Sequence, residues 1–206
     1  MYILVGLGNP GADYEQTRHN VGRIVLSAVH RAGDFSPWKK DGVLNALVSS
    51  GELSGKKIKL VMPETFMNKS GQSVAPLVTD EKKAEQLIVV YDDLDLPLGA
   101  MKISFNRSSG GHRGVESIIR SLKTEAFTRI RVGISPKTPT GKMKKPSGDV
   151  AVQDFILGVF RDAEMKELQK VTRQAVSAVE VLVSGGSSAK GIRMARETAM
   201  GEFNGK

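Results

Sequence analysis

The chain carries three histidines, His19, His30 and His112, and no cysteine. The missing thiols exclude disulfides, thiol nucleophiles and cysteine-held zinc together. The histidine spacing matches no common metal-site pattern. His19 is the best placed of the three, in Thr17-Arg18-His19-Asn20 just ahead of a helical pattern. An imidazole titrates near neutrality, which suits a general base. The apolar run at residues 87–91 ends abruptly in Asp92. A carboxylate at a strand end can orient a histidine, hold its tautomer and support the imidazolium. No G-x-S-x-G elbow offers a serine route, so the chemistry within reach is hydrolysis by a histidine-activated water. His30, near the back of a helix, and His112, in Gly110-Gly111-His112-Arg113-Gly114, read as structural.

Two loops add amides. Gly6-Leu7-Gly8-Asn9-Pro10-Gly11 is formally the G-x-G-x-x-G dinucleotide fingerprint. That fingerprint needs a helix directly after its glycines to hold a pyrophosphate, and here the helical pattern starts only after an intervening loop. The turn instead points the Asn9 amide outward from a strand's carboxyl end, where open α/β sheets place ligands. Thr65-Phe66-Met67-Asn68-Lys69-Ser70-Gly71 offers two apolar side chains and a second amide. Read alone, Phe66 and Met67 are ordinary core residues and Asn68 an ordinary helix cap. The apolar strand ending in Asp92 is also seen in phosphate-loop NTPases, but Gly51-Glu52-Leu53-Ser54-Gly55-Lys56-Lys57 has the wrong spacing and lacks the hydroxyl.

These residues need a scaffold, and the chain reads as strands alternating with helices. Residues 2–5 and 87–91 are buried-strand patterns. Residues 43–50 and 57–62 read as two strands around the turn Leu53-Ser54-Gly55, and residues 102–105 and 128–134 as two more. Val21, Ile24, Val25, Ala28 and Val29 form one helix face, capped by Asn20 or Thr17. Val74, Leu77 and Val78 suggest a short helix, and residues 115–122, 162–183 and 189–200 longer ones. The 206 residues contain no internal repeat and no dividing linker, so one α/β domain is expected. Residues 136–148, rich in Pro, Gly, Lys and Ser, read as a mobile basic loop. The net charge is +8, and residues 102–145 hold eleven Lys and Arg against two acids. A basic block in an otherwise neutral chain points to a polyanionic partner, nucleic acid above all. No apolar stretch is long enough for a signal peptide or a membrane span, so a soluble cytosolic protein is expected.

Taken together, the segments resemble the bacterial peptidyl-tRNA hydrolase family. The resemblance rests on Val5 through Gly11, Tyr14 with Thr17-Arg18-His19-Asn20, Pro63 through Gly71, and Tyr91-Asp92-Asp93-Leu94-Asp95-Leu96-Pro97-Leu98-Gly99. Gly110-Gly111-His112 and Asp154-Phe155-Ile156-Leu157-Gly158 continue it, so nearly the whole chain is covered. The resemblance implies a single α/β domain with a twisted mixed sheet packed between helices. It implies cleavage of the ester joining a peptide to the 3′-terminal ribose of tRNA, with no metal or other cofactor and with a monomer as the working unit. It assigns His19 as the base, Asp92 as the group that holds it, and Asn9 as the amide that separates N-blocked from free aminoacyl esters. Asn68 is implied as a substrate-binding amide, Tyr14 and Phe66 as contacts to the substrate's 3′ end, and Met67 as a residue lining the same cleft. The family usually carries Asn where this chain has Arg113. An arginine accepts no hydrogen bond and adds permanent charge, which leaves gripping a phosphate or stacking on a base as its options. Arg113 is also the feature that favours the alternative, a non-catalytic RNA-binding relative of the same fold. The lysines of the 136–148 loop are expected either to touch the tRNA acceptor stem or simply to be solvated.

Overall fold

Tyr2–Gly6 (β1) is an apolar run buried along its whole length, as expected of a strand covered on both faces. The computed structural model describes residues 1–205 apart from 139 and 141. After β1 come α1 (Val21–Ala32), β2 (Asp34–Phe35), β3 (Lys39–Asp41), β4 (Ala46–Leu53) and β5 (Lys56–Pro63). They are followed by α2 (Gly71–Val74), α3 (Glu81–Glu85), β6 (Leu87–Pro97), β7 (Met101–Phe105), α4 (Arg113–Leu122) and β8 (Thr128–Ser135). Three helices complete the chain: α5 (Asp149–Leu157), α6 (Asp162–Ser184) and α7 (Ala189–Phe203). The strands form one sheet in the order β2-β4-β5-β1-β6-β8-β7, with β3 paired to β4. β1 is parallel to β5 and β6, and β6 to β8, while the outer pairs are antiparallel.

Helices cover both faces of this sheet. One core packs Val25, Leu26 and Val29 of α1 and Leu168, Val171 and Val179 of α6 against Leu4, Leu60 and Val90. The other packs Val74 of α2 and Val115 and Ile118 of α4 against Val5, Val89 and Phe127. The expected single domain, a mixed sheet between helices, is what forms. Because β1 and β6 run parallel, the loop after Gly6 and the carboxylates after Tyr91 emerge at the same end. Gly6 and Gly22 let β1 and α1 approach closely there: a Cβ on Gly22 would fall on the Val90 and Leu7 backbone.

Several boundaries move from the expected ones. β4 starts at Ala46, because the Asp41 carboxylate accepts from the Val43 and Leu44 amides and folds that stretch into a turn. The β4–β5 turn has positive φ at Ser54 and Gly55, the backbone a tight hairpin with the sheet's twist requires. The helix expected around Val74 is shorter, since α2 gives way to a 3₁₀ turn at Ala75–Leu77. Asn20 and Thr17 provide no side-chain cap for α1, and Asn68 caps nothing because it lies inside the 3₁₀ turn Met67–Lys69. β2, β3, α3 and α5 have no counterpart in the sequence reading. Within residues 136–148, Lys137 pairs with Met143, and the Thr138 and Lys144 amides donate to the Lys142 and Pro136 carbonyls; residues 139 and 141 of that expected mobile loop lie outside the described residues. Among the described residues, no helix is long and apolar enough to cross a membrane.

Candidate active site

The site is assembled from loops at the carboxyl ends of β1 and β6 and from the start of two helices. His19 sits in the 3₁₀ turn Arg18–Asn20 that leads into α1. Its Nδ1 lies 2.9 and 3.1 Å from the two carboxylate oxygens of Asp92. His112 forms the N-cap of α4: its Nδ1 accepts from the Val115 amide at 3.3 Å. That bond forces the His112 proton onto Nε2, which donates to Asp92 Oδ1 at 3.1 Å. Asp92 therefore accepts from both imidazoles, and the proton of neutral His19 is held on Nδ1. His19 Nε2 is left as the unprotonated nitrogen, with no partner among the described residues.

Asp92 is only 3% exposed. Burial alone would raise its pKa, but the two imidazoles and their hydrogen bonds outweigh that and hold the carboxyl well below the usual carboxylate range. The His19 and His112 rings stand 5.1 Å apart, and the Tyr91 ring packs 4.8 Å from His112. Burial pushes the Tyr91 phenol up to about 12. His19, Asp92 and His112 also bring three ligand-type atoms within 4.8 Å of one another. Sequence spacing could not reveal this cluster, because its members come from three separate segments, the turn before α1, strand β6 and the N-cap of α4; hydrogen bonding accounts for its geometry.

Asn9 is oriented from three sides. Its backbone amide donates to Asn20 Oδ1 at 2.8 Å, and its carbonyl accepts from Asn20 Nδ2 at 3.0 Å. Its own Oδ1 accepts from the Met67 amide at 3.0 Å. With the oxygen committed, Asn9 Nδ2 is the end left to donate. Asn9, His19, Phe66, Met67, Asn68, Asp92 and Arg113 all line one cleft of about 710 Å³. Phe66 and Asn68 are exposed on its rim, whereas Met67 is buried. Arg113 is exposed at the first position of α4 and pairs with no acid among the described residues. Tyr14 is the one expected site residue that does not line this cleft. It is half-buried in the 3₁₀ turn Ala12–Tyr14, where its carbonyl accepts from the amide and hydroxyl of Thr17.

Three members of the site escape sequence reasoning. His112 reads as structural from sequence, although the glycines before it hint that a side chain has to be presented there. Asn20 reads as a cap and is instead the clamp on Asn9. Arg18 turns away from His19 and is buried between the Phe155 and Phe160 rings. The cleft is also lined by the basic residues Lys102, Arg107, Arg129 and Arg131. Arg129 is fully buried and donates to the Ser108 carbonyl at 2.8 Å, and Arg131 is tied to Asp93 at 2.5 Å.

A cleft at the carboxyl ends of parallel strands, floored by a buried His–Asp couple and walled by amides, places the chain among α/β enzymes equipped to activate water. Comparison with known proteins makes the class specific. The family model described as peptidyl-tRNA hydrolase matches residues 3–201. A peptidyl-tRNA hydrolase of Geobacillus kaustophilus is 41% identical over 184 residues, 89% of this chain and 93% of its own length. One from a Thermoanaerobacter species is 38% identical over 206 residues, spanning both chains completely. The crystal structure of peptidyl-tRNA hydrolase from Acinetobacter baumannii superposes with a TM-score of 0.83 at 27% identity, covering 99% of this chain and 94% of that one. The chain belongs to the peptidyl-tRNA hydrolase family.

Proposed function

We propose that this protein hydrolyses the ester between a peptide and the 3′-terminal ribose of tRNA, releasing the tRNA for reuse. The observation that carries the reading is the free Nε2 of His19 in the cleft, with Nδ1 held by buried Asp92. His19 Nε2 takes a proton from water as its oxygen attacks the ester carbonyl carbon. The tetrahedral intermediate collapses with cleavage of the carbon–oxygen bond to the ribose. The imidazolium returns its proton to the departing 3′ oxygen, and the peptide leaves as a carboxylic acid that gives its remaining proton to solvent and becomes a carboxylate. Asp92 stabilises that imidazolium throughout. An aminoacyl ester is already activated, so one base and a few aligned donors suffice; losing one such donor typically costs about 100- to 1,000-fold.

Asn9 Nδ2 is the donor for the peptide carbonyl next to the ester, and Asn68 is the second amide on the substrate. A free ammonium in that place would lose water without gaining a carboxylate, which favours N-blocked substrates. Phe66 and Met67 provide apolar contacts for the 3′ end. Tyr14, outside the cleft, acts by shaping the turn that presents His19. Arg113 contacts the RNA. The working unit is a cytoplasmic monomer, and no cofactor takes part.

The test is single-turnover cleavage of N-acetyl-aminoacyl-tRNA beside the unblocked aminoacyl-tRNA, for wild type and His19→Ala. Cleavage of the blocked ester alone, lost in the variant, is expected. Wild type that binds the tRNA yet cleaves neither ester would replace this reading with a non-catalytic RNA-binding role.

A further inference from the structure

The α5 helix forms one wall of the cleft through Val152, Gln153, Ile156 and Leu157, yet none of its residues is fully buried. Its two ends are held very differently. The N-terminal end follows Gly148, which has φ 87° and open space around it. The C-terminal end packs on the turn Arg18–Asn20. There, Thr17 forms a bridge with Val159, and the Arg18 amide donates to the Gly158 carbonyl at 3.0 Å.

Arg18 is the centre of this attachment. One guanidinium nitrogen donates to the Val159 carbonyl at 3.0 Å and the other to Glu164 at 2.8 Å. The guanidinium also lies 4.5 Å from the ring centroid of Phe155 on α5 and 5.3 Å from that of Phe160. Glu164 sits in the first turn of α6 and is held a second time by Arg161, whose backbone amide donates to it at 2.8 Å. Arg18 is thus gripped on one side by the α5–α6 junction and is bonded covalently to His19 on the other. Sub-ångström registry matters for the base: an error of about 1 Å in a catalytic group costs on the order of 100-fold.

We infer that Arg18 is a positioning residue for His19, which couples the angle of the α5 wall to the alignment of His19 on Asp92. A substrate seated against α5 then loads the same strut that aims the base. Arg18 touches no substrate itself. The kinetic side of this inference rests on the proposed reaction; the coupling does not.

Arg18→Met keeps an apolar stem between the two rings, and Glu164 keeps Arg161, so no buried charge is orphaned. The folded variant is expected to lose about 10- to 100-fold in kcat on N-acetyl-aminoacyl-tRNA, with little change in KM. The acid limb of its pH–rate profile should also move, and Arg18→Lys should restore part of the loss. Independently of any substrate, the low-field proton resonance of the His19–Asp92 hydrogen bond should shift or broaden in Arg18→Met. If the variant only melts earlier, with kcat, pH profile and resonance unchanged, Arg18 is a structural residue and the inference fails. If wild type cleaves nothing while the resonance still responds, the coupling stands and the proposed reaction falls. Should Arg18→Met not fold, Phe155→Leu, which removes the ring on the α5 side, is read by the same criteria.

Discussion

Replacing Asp92 with Asn preserves volume and removes the charge shared by His19 and His112. In the proposed reaction, His19 becomes an imidazolium as water gives up its proton, with its Nδ1 2.9 Å from the carboxylate. For charge centres about 4 Å apart at an effective dielectric near 20, that attraction is worth about 4 kcal/mol. At about 1.4 kcal/mol per decade, kcat should fall about 1,000-fold. The amide also disturbs the protons. With its oxygen toward both imidazoles, its NH2 replaces an oxygen now 3.1 Å from the His19 Nδ1 donor; turned over, it meets two donors head-on. KM should change less than about threefold, since Asp92 is buried on the cleft floor. Single-turnover cleavage across neutral pH measures both constants. A kcat within about tenfold of wild type would refute the argument, because no reasonable dielectric makes so close a buried pair that weak. Stability gives a second readout. The Asp92 pKa is lowered in the fold, so its stabilising contribution is present above the ordinary aspartate range, about pH 4, and is lost as pH falls through the depressed value. Asp92→Asn should flatten that acid limb.

At the alkaline end Tyr91 acts in the opposite sense. Burial raises its phenol to about 12, so its contribution is present below about pH 10 and is lost as pH rises through the folded value. Thermal melts of Tyr91→Phe should therefore lose less stability than wild type in that window. Asn20→Ala removes both bonds to the Asn9 backbone and should cost about 2–4 kcal/mol in urea unfolding, counting the buried groups left unpaired; a loss below about 0.5 kcal/mol would mean water replaces the clamp. Arg113→Asn should leave the melting temperature unchanged, because the side chain is exposed and pairs with no acid among the described residues. If Arg113 contacts phosphate, the same change should raise KM and lower the salt slope of tRNA binding by about one.

The sheet centre is legible because a single requirement, burial on both faces, fixes its residue types. Residues 2–5 and 87–91 are apolar throughout, which only a strand covered on both faces tolerates. The strand β6 extends well past its apolar run. Its last part carries Asp92, Asp93 and Asp95, and these are held by ties that no periodicity records: His19 and His112 on Asp92, Arg131 on Asp93, Lys145 on Asp95. α5 escapes the sequence pattern because its apolar residues are at most half-buried, with Val150 exposed outright, so no clean stripe appears. The His19–Asp92 pairing can be inferred from where the apolar strand ends and the first helix begins. The role of His112 cannot, since it depends on a tautomer fixed by the first turn of α4. Asn20 illustrates the same limit: a side chain of the right type for a cap is committed to a loop eleven residues away.

The charge count is where sequence most overstates what an RNA meets. Of the eleven basic residues between 102 and 145, Arg129 is buried beneath Ser108, Arg131 is held by Asp93, Arg120 by Glu116 and Lys145 by Asp95. Among the described residues, the exposed cleft-lining cations left without an acid are Lys102, Arg107 and Arg113. Each phosphate neutralised contributes about 0.7 to 0.9 to the slope of log K against log salt. Three contacts predict a slope of about −2 to −3 for binding uncleavable peptidyl-tRNA. Exposed Lys137, Lys142 and Lys144 stand on the 136–148 segment. If they reach the acceptor stem, the slope steepens to about −5, and changing all three to Gln returns it to the smaller value. A slope unchanged by that triple substitution leaves the segment merely solvated. A slope steepened further, to between about −6 and −7, would mean that the paired arginines abandon Asp93 and Glu116 for RNA, and the assignment of Arg131 as a structural partner of Asp93 would have to be given up.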